Sequence, residues 1–346
     1  MQELRPFISV IVPVYNGGKF IGRCIDALLS NRYPRFEVIV VNDGSTDNGE
    51  EICRAKGVTV LQSERPRSGP AAARNFAAAQ AKHANILMFV DADVVVEHDT
   101  VAKVAQCFER DAGIAAFFGS YDDSPAEKNF LSQYKNLQHH FVHQTSNPEA
   151  STFWAGLGAV RADIFRSVGG FDCERFAVPS IEDIELGARL RQASHRILLE
   201  RSIQAKHLKK WTVMSLLRTD IFCRAVPWSR LILTSQGLIN DMNLKTNDRA
   251  SAALAGMIVL LIPLSIWQPV VLLAIAGVLA AFVYLNRRLL SFYMDLKGPI
   301  FAAAAVPWQM LYFLYSGFTF VACWFIYYLP ILLGISRDRR VGETRS

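Results

Sequence analysis

The chain has 346 residues, of which 20% are charged, with 37 Lys and Arg against 31 Asp and Glu and a formal net charge of +6. A soluble domain carries roughly 25% charged residues, and the deficit is local: 251–285 and 298–336 contain no Asp, Glu, Lys, Arg or His. Uncharged apolar stretches of more than about 18 residues read as membrane spans, which excludes a purely cytosolic protein as well as a collagenous, disordered or disulfide-scaffold chain.

The six cysteines are widely and irregularly spaced, with no CxxC or Cys/His pair to close a zinc site, and read as buried thiols of a reducing compartment. The N-terminus lacks a basic n-region and a small-residue cleavage site, and its apolar run is broken at Pro13, which places the globular part in the cytosol. The basic residues gather in 206–230, 245–249, 287–297 and 337–345, beside the apolar segments. Cationic flanks of a membrane anchor explain them better than a nucleic-acid surface.

In chain order, residues 7–14 form a β-branched run without polar alternation, as in a strand buried on both faces of a parallel sheet. A helical pattern over 20–29 precedes a second such strand, 36–41, which ends in Asn42-Asp43-Gly44-Ser45-Thr46-Asp47 and a helix over 49–56. A strand at 58–62, an Ala-rich helix at 70–84 and a strand at 86–90 ending in Asp91-Ala92-Asp93 continue the alternation, which predicts a doubly wound α/β domain. Ligands of such sheets sit outside the carboxyl ends of the strands, where Asn16, Asp43, Asp47, Asp91 and Asp93 collect.

Three segments carry chemistry. Asp91 and Asp93 place two carboxylates directly after an apolar strand, where a turn lets at least one reach a hard divalent cation, or where one caps the next helix and the other is solvated. The run from Arg65 to Asn75 is a basic, Gly-containing turn entering a helix, suited to an anion but without a P-loop lysine. Glu182, Asp183 and Glu185 crowd the start of an amphipathic helix. The helix dipole accounts for one of the first two, and the other is free to act as a general base. Upstream, Trp154 to Gly158 and Val168 to Asp172 combine aromatic residues with glycine, either as a sugar platform or as a tight turn with an apolar plug.

Taken together and in order, Ser9-Val-Ile-Val-Pro-Val-Tyr-Asn16, Val41-Asn-Asp-Gly-Ser-Thr-Asp47, Gly69-Pro-Ala-Ala-Ala-Arg-Asn75, Phe89-Val-Asp-Ala-Asp93, Val168-Gly-Gly-Phe-Asp172 and Glu182-Asp183 closely resemble family 2 glycosyltransferases over residues 7–210. The resemblance implies a GT-A fold, a Rossmann-like and mostly parallel sheet with flanking helices, and a UDP- or GDP-linked sugar as donor. It implies that Pro13, Tyr15, Asn16 and Asp43 line the base and ribose, with Asp43 accepting from the base, and that Arg74 and Asp91 hold the nucleotide. Asp93 would ligate Mg²⁺ or Mn²⁺ on the diphosphate, with Asp91 beside it. His207 falls where several relatives place a histidine near the metal, and a solvent-facing histidine in a basic stretch is the alternative. Asp183, paired with Glu182, would be the general base of an inverting single displacement. The Gln-x-x-Arg-Trp element of processive synthases is missing, with only Lys209-Lys210-Trp211 nearby, so transfer of a single sugar is expected.

The domain plan is therefore a catalytic domain at 1–210, a linker region at 211–250 and a membrane domain at 251–346. The stretch 211–233 interleaves Arg218, Arg224 and Arg230 with apolar residues and reads as an interfacial helix or as a packed helix closing the catalytic domain. If interfacial, Arg218 and Arg224 are placed for a lipid phosphate, with Trp154 a further acceptor candidate. Residues 251–285 are too long for one straight span, and the run from Pro263 to Pro269 predicts a turn. Spans near 251–267, 270–286 and 300–330 follow, with a two-span arrangement as alternative because of the basic tail. The expected function is transfer of one sugar to a lipid or lipid-linked glycan, multi-pass in the cell membrane with the catalytic domain cytoplasmic. The alternatives are a polyprenyl-phosphate glycosyltransferase and a non-catalytic nucleotide-sugar-binding scaffold.

Overall fold

A computed structural model describes residues 5–234 and 245–332. It divides into two units, one running to Val213 and the other from Met214 onward. The predicted tail at 337–345 lies outside the described residues.

The first unit begins β1 (Ile8–Val14), α1 (Gly18–Leu29), β2 (Phe36–Asn42), α2 (Gly49–Ala55), β3 (Thr59–Gln62), α3 (Gly69–Gln80) and β4 (Ile86–Val90). β1, β2 and β4 are β-branched and apolar because both faces of the sheet are covered. The period-2 alternation sorts their side chains into two layers. Val10, Val12 and Val14 pack with Ile21, Cys24, Ile25 and Leu28 of α1, which recur at three- and four-residue spacing. Ile11, Val41 and Phe89 face α3 through Ala71, Ala73, Ala77 and Ala78, whose small side chains let that helix approach closely.

The chain continues through β5 (Val94–Val96), α4 (Thr100–Arg110), β6 (Ile114–Tyr121), α5 (Phe130–Thr145), β7 (Leu157–Arg161), α6 (Ala162–Ser167), α7 (Glu182–Gln192) and β8 (Arg196–His207). The eight strands lie in the order β3-β2-β1-β4-β7-β6-β8-β5. β1, β2, β3 and β4 pair in parallel, as the alternation of strand and helix predicts. β7 enters antiparallel between β4 and β6, and β5 runs antiparallel to β8, so the far half of the sheet is mixed. The register pairs Val94 with His207 and so brings the end of β8 back beside Asp93. Trp211 is buried in this unit, its N–H donating to Ser132 Oγ at 2.7 Å, and thus does not open the amphipathic stretch that follows.

The second unit is helical: α8 (Val213–Arg218), a π-helical turn (Thr219–Ala225), α9 (Val226–Thr234), α10 (Thr246–Trp267), α11 (Val271–Leu285), α12 (Arg287–Lys297) and α13 (Pro299–Leu332). Pro263 lies inside α10, and the break follows Trp267, within the segment from Pro263 to Pro269 where a turn is expected. The basic segment 287–297 is helical and is bent 71° from α11. Among the described residues two helices, Thr246–Trp267 and Pro299–Leu329, are long and apolar enough to cross a membrane, or three if the bent pair is one span. α11 by itself, 15 residues, reaches about 22 Å against a hydrocarbon core of about 30 Å. Asp220, on the π-helical turn, is buried and accepts from Tyr315 Oη of α13 at 2.6 Å.

Candidate active site

The loops after β1 and β2 are tied to each other by short side chains. Asn16, at φ 50°, accepts through Oδ1 from Thr46 N at 2.8 Å, while its own N–H donates to Ser45 Oγ. Asp47 accepts from Gly18 N at 2.7 Å and from Gly49 N at 3.1 Å, which fastens the starts of α1 and α2. Asp43 is buried, and its two oxygens receive Ser68 N, Ser68 Oγ and Gly69 N at 2.8–3.0 Å. Its carboxylate therefore anchors the turn entering α3. Gly69 is required there: its φ is +88°, and a Cβ would lie 2.5 Å from the Ala177 carbonyl oxygen. Pro13 sits at the end of β1 opposite Val41, and Tyr15 stands exposed with the Arg67 guanidinium 5.5 Å from its ring centroid.

Arg74 is the hub of the site. Projecting from α3 and almost wholly buried, it donates to Asp91 Oδ1 at 2.7 Å and to Glu182 Oε1 at 2.9 Å, and its guanidinium lies over the Phe171 ring. Glu182 is itself buried, and its second oxygen accepts from Ser180 N at 2.9 Å. Next along α3, Asn75 exchanges hydrogen bonds with Phe171 N and O, and Arg189 of α7 donates to the Val168 and Gly170 carbonyls while pairing with Glu185. The Val168-Gly-Gly-Phe-Asp172 segment is thereby clamped between α3 and α7.

Asp183, one residue on, has different surroundings. Its Oδ2 accepts from Ala155 N at 3.0 Å and its Oδ1 from Ile184 N at 2.8 Å, with no side-chain cation at hydrogen-bond distance. Loss of water around the carboxyl, and next the negative charge of Glu182, push its pKa up to about 7, against the pull of the Ala155 amide and Arg74. The approach of α7 that makes this possible depends on Gly187, where a Cβ would lie 2.3 Å from Phe153 N.

The two carboxylates of Asp91-Ala92-Asp93 face different partners. Asp91 turns to Arg74, and burial raises its pKa despite that cation. Asp93 Oδ2 lies 3.3 Å from His207 Nε2. His207 is buried, not solvent-facing: its Nδ1 meets Asn136 Oδ1 at 2.8 Å, and its ring stacks on Tyr121 at 4.4 Å and 9°. Tyr121 also meets Trp154 edge-on at 4.7 Å, so Trp154 stands between this cluster and the Ala155 amide bound to Asp183. Among the described residues no three His, Cys, Asp or Glu side chains are gathered as a metal set, so Asp91, Asp93 and His207 do not form one. Asp93 and His207 do fit a divalent cation completed by other oxygens, since a carboxylate oxygen and an imidazole nitrogen converge there.

Asn136, Tyr121, Asn75 and Arg189 were not among the predicted site residues. The signal for Asn136 was present in α5, where Ser132, Asn136, His140 and His143 recur at helical spacing and are all buried. In the second unit, Arg218 is exposed, whereas Arg224 Nη1 lies 3.4 Å from Asp220 Oδ1.

A mixed sheet of this order, with its acidic and basic groups past the ends of β1, β2 and β4 and at the start of α7, is a GT-A-like fold. Residues 9–169 match the family described as Glycosyl transferase family 2. Among curated relatives, Glycosyltransferase GlyG of Streptococcus pneumoniae is 38% identical over 130 residues, 36% of this chain and 42% of that protein. Glycosyltransferase AglE of Haloferax volcanii is 39% identical over 99 residues, 27% of this chain and 32% of that one. The matched stretch thus spans less than half the length of these relatives. The fold is similar to that of the mannosyltransferase PcManGT from Pyrobaculum calidifontis, solved with GDP-Man and Mn²⁺ (TM-score 0.58, 18% identity, 92% of this chain and 88% of that one). It is also similar to that of S. aureus TarS 1–349, solved with UDP-GlcNAc (TM-score 0.52, 17% identity, 95% and 92%).

Proposed function

We propose that the protein transfers one sugar from a UDP- or GDP-linked donor to a hydroxyl of a lipid or lipid-linked glycan, at the cytosolic face of the cell membrane, with Asp183 as general base. The observation that carries this reading is the contrast between two adjacent carboxylates. Glu182 is held by Arg74, whereas Asp183 has only backbone donors and a pKa pushed up to about 7. A carboxylate poised there takes a hydroxyl proton near neutral pH. The deprotonating oxygen attacks the anomeric carbon, the bond from that carbon to the diphosphate oxygen breaks, and the electron pair leaves with the nucleoside diphosphate. A polyprenyl phosphate, already an anion, does not need this base, so Asp183 favours a hydroxyl acceptor.

Tyr15 with Arg67 offers an exposed ring and cation beside the loops of Asn16 and Asp43, a surface for a base and its ribose. Asp93 and His207 would hold Mg²⁺ or Mn²⁺, which supplies charge stabilisation to the leaving diphosphate. Arg74 holds Asp91 and Glu182 in place and adds positive charge to the same edge of the domain. The two long apolar helices support anchoring in the plane where an amphiphilic acceptor resides, which raises its effective concentration.

Detergent-purified full chain mixed with UDP-, GDP- and dTDP-sugars, with and without Mn²⁺, tests the reading by thermal shift and donor hydrolysis, because a ligand that binds the native state raises its apparent stability. A Mn²⁺-dependent shift with one nucleotide is expected. A thermal shift without donor hydrolysis would favour the non-catalytic nucleotide-sugar-binding scaffold, and the absence of any response would overturn the donor reading.

A further inference from the structure

We propose that Asn136 is a positioning residue for the cation site, fixing His207 in the tautomer that carries its proton on Nδ1 and so directing an Nε2 lone pair toward the position shared with Asp93. This inference rests on the metal reading of Asp93 and His207 given above.

The geometry runs through three contacts. Asn136 Oδ1 lies 2.8 Å from His207 Nδ1, and a carbonyl oxygen has only lone pairs to offer, so the proton between them belongs to the imidazole. In the neutral ring the other nitrogen is then an acceptor, and it faces the Asp93 carboxylate oxygen at 3.3 Å. Two acceptors so close repel unless positive charge lies between or beside them. Tyr121, stacked on the imidazole at 4.4 Å and nearly parallel to it, blocks rotation of the ring out of this plane.

Asn136 has no other partner in the site. It is buried to 2% exposure, and its Nδ2 has no hydrogen-bond partner among the described residues. An amide that leaves its donor unmet in a dry position is costly, and its oxygen is the atom that the arrangement uses. The side chain is delivered by α5, whose Ser132, Asn136, His140 and His143 are all buried, 71 positions before His207. The partner of the non-ligating nitrogen of a metal-bound histidine sets its tautomer, and loss of such a partner typically weakens metal binding by roughly 10–100-fold.

The test is the Mn²⁺ concentration that gives half of the UDP- or GDP-dependent rise in melting temperature of the full chain in detergent, a readout that needs no turnover. Asn136→Leu is expected to raise that concentration by about tenfold to hundredfold and to blunt the preference for Mn²⁺ over Mg²⁺, because the nitrogen ligand is no longer directed. Asn136→Asp, whose oxygens can only accept, is expected to stay within about threefold of the wild type or bind more tightly. Equal loss in both variants would overturn the proposal, since it would mean that the amide donates to the ring or merely fills space. A wild-type response in Asn136→Leu would also overturn it. His207→Ala separates this result from the underlying reading: if it leaves the Mn²⁺ dependence unchanged, His207 is not a ligand and the metal assignment fails first. A metal-free melting temperature close to wild type shows that each variant is folded.

Discussion

Asp183 Oδ2 accepts the Ala155 N–H at 3.0 Å, which joins the first turn of α7 to the segment leading into β7. Because that carboxylate has no cationic partner while its neighbour Glu182 has Arg74, the two acids should respond differently to loss of charge. Asp183→Asn is expected to lower kcat by about 10²–10⁴-fold with donor affinity nearly unchanged. Glu182→Gln is expected to weaken donor binding and thermal stability instead, through Arg74. Steady-state kinetics combined with donor titration separates the outcomes, and unchanged transfer by Asp183→Asn would remove it as base.

The pH dependence follows from the same group. With its carboxyl raised to about 7, Asp183 is protonated at low pH, where the proposed base would not act. kcat should rise with pH through about 7, with the slope of a single ionisation, and the Asn variant should lose that limb. The folded pKa lies above the unfolded value, so this group's contribution to stability is fully present below about 4 and is lost as pH rises through 7. Asp183→Asn should therefore melt no lower than wild type at pH 8 while being far less active, which differential scanning at pH 5 and pH 8 will show.

Arg74 and Glu182 form a buried pair. Removing one partner leaves the other charged and dry, at a cost of about 3–5 kcal/mol. Arg74→Ala should lower the melting temperature by roughly 10 °C for a domain of this size. Glu182→Gln in the Arg74→Ala background should recover part of the loss, and additive losses in that double mutant would argue against a direct coupling.

Gly187→Ala tests whether the seat of α7 matters for activity. Its Cβ would lie 2.3 Å from Phe153 N, so the helix must move outward. A loss of about 1–3 kcal/mol is expected, with kcat falling more than donor affinity because the Asp183 to Ala155 contact opens. A substitution with kcat unchanged would show that the base tolerates displacement of its helix.

In the second unit, Tyr315→Phe removes the hydroxyl that donates to buried Asp220 and leaves that oxygen without it. About 1.5–3 kcal/mol of stability should be lost. Unfolding of the detergent-solubilised chain measures this, and Asp220→Asn should be milder because an amide oxygen still accepts from Tyr315.

The amino-acid sequence by itself determined the first half of the sheet and the long apolar helices. Largely apolar runs at 8–14, 36–42 and 86–90 find their place between two covering layers, and the charge-free stretches have none in water. Local chemistry also marked Asp43, Asp91, Asp93, Asp183 and their neighbours, because acidic and small residues collect where strands end. Those signals operate over a few residues, and the antiparallel entry of β7 and the return of β8 to β5 lie beyond their reach.

Tertiary structure alone decided which marked residue meets which. Arg74 pairs with Glu182 108 positions away, and His207 meets Asn136 across 71. No local periodicity encodes such partners, since they follow from strand order and from how closely helices seat. Glu182 and Asp183 show the consequence: adjacent acids at one helix start, equivalent by sequence pattern, differ because only one of them faces Arg74. The pKa of a carboxyl is set by the charges, dipoles and water around it, and those are assembled only when the chain has folded.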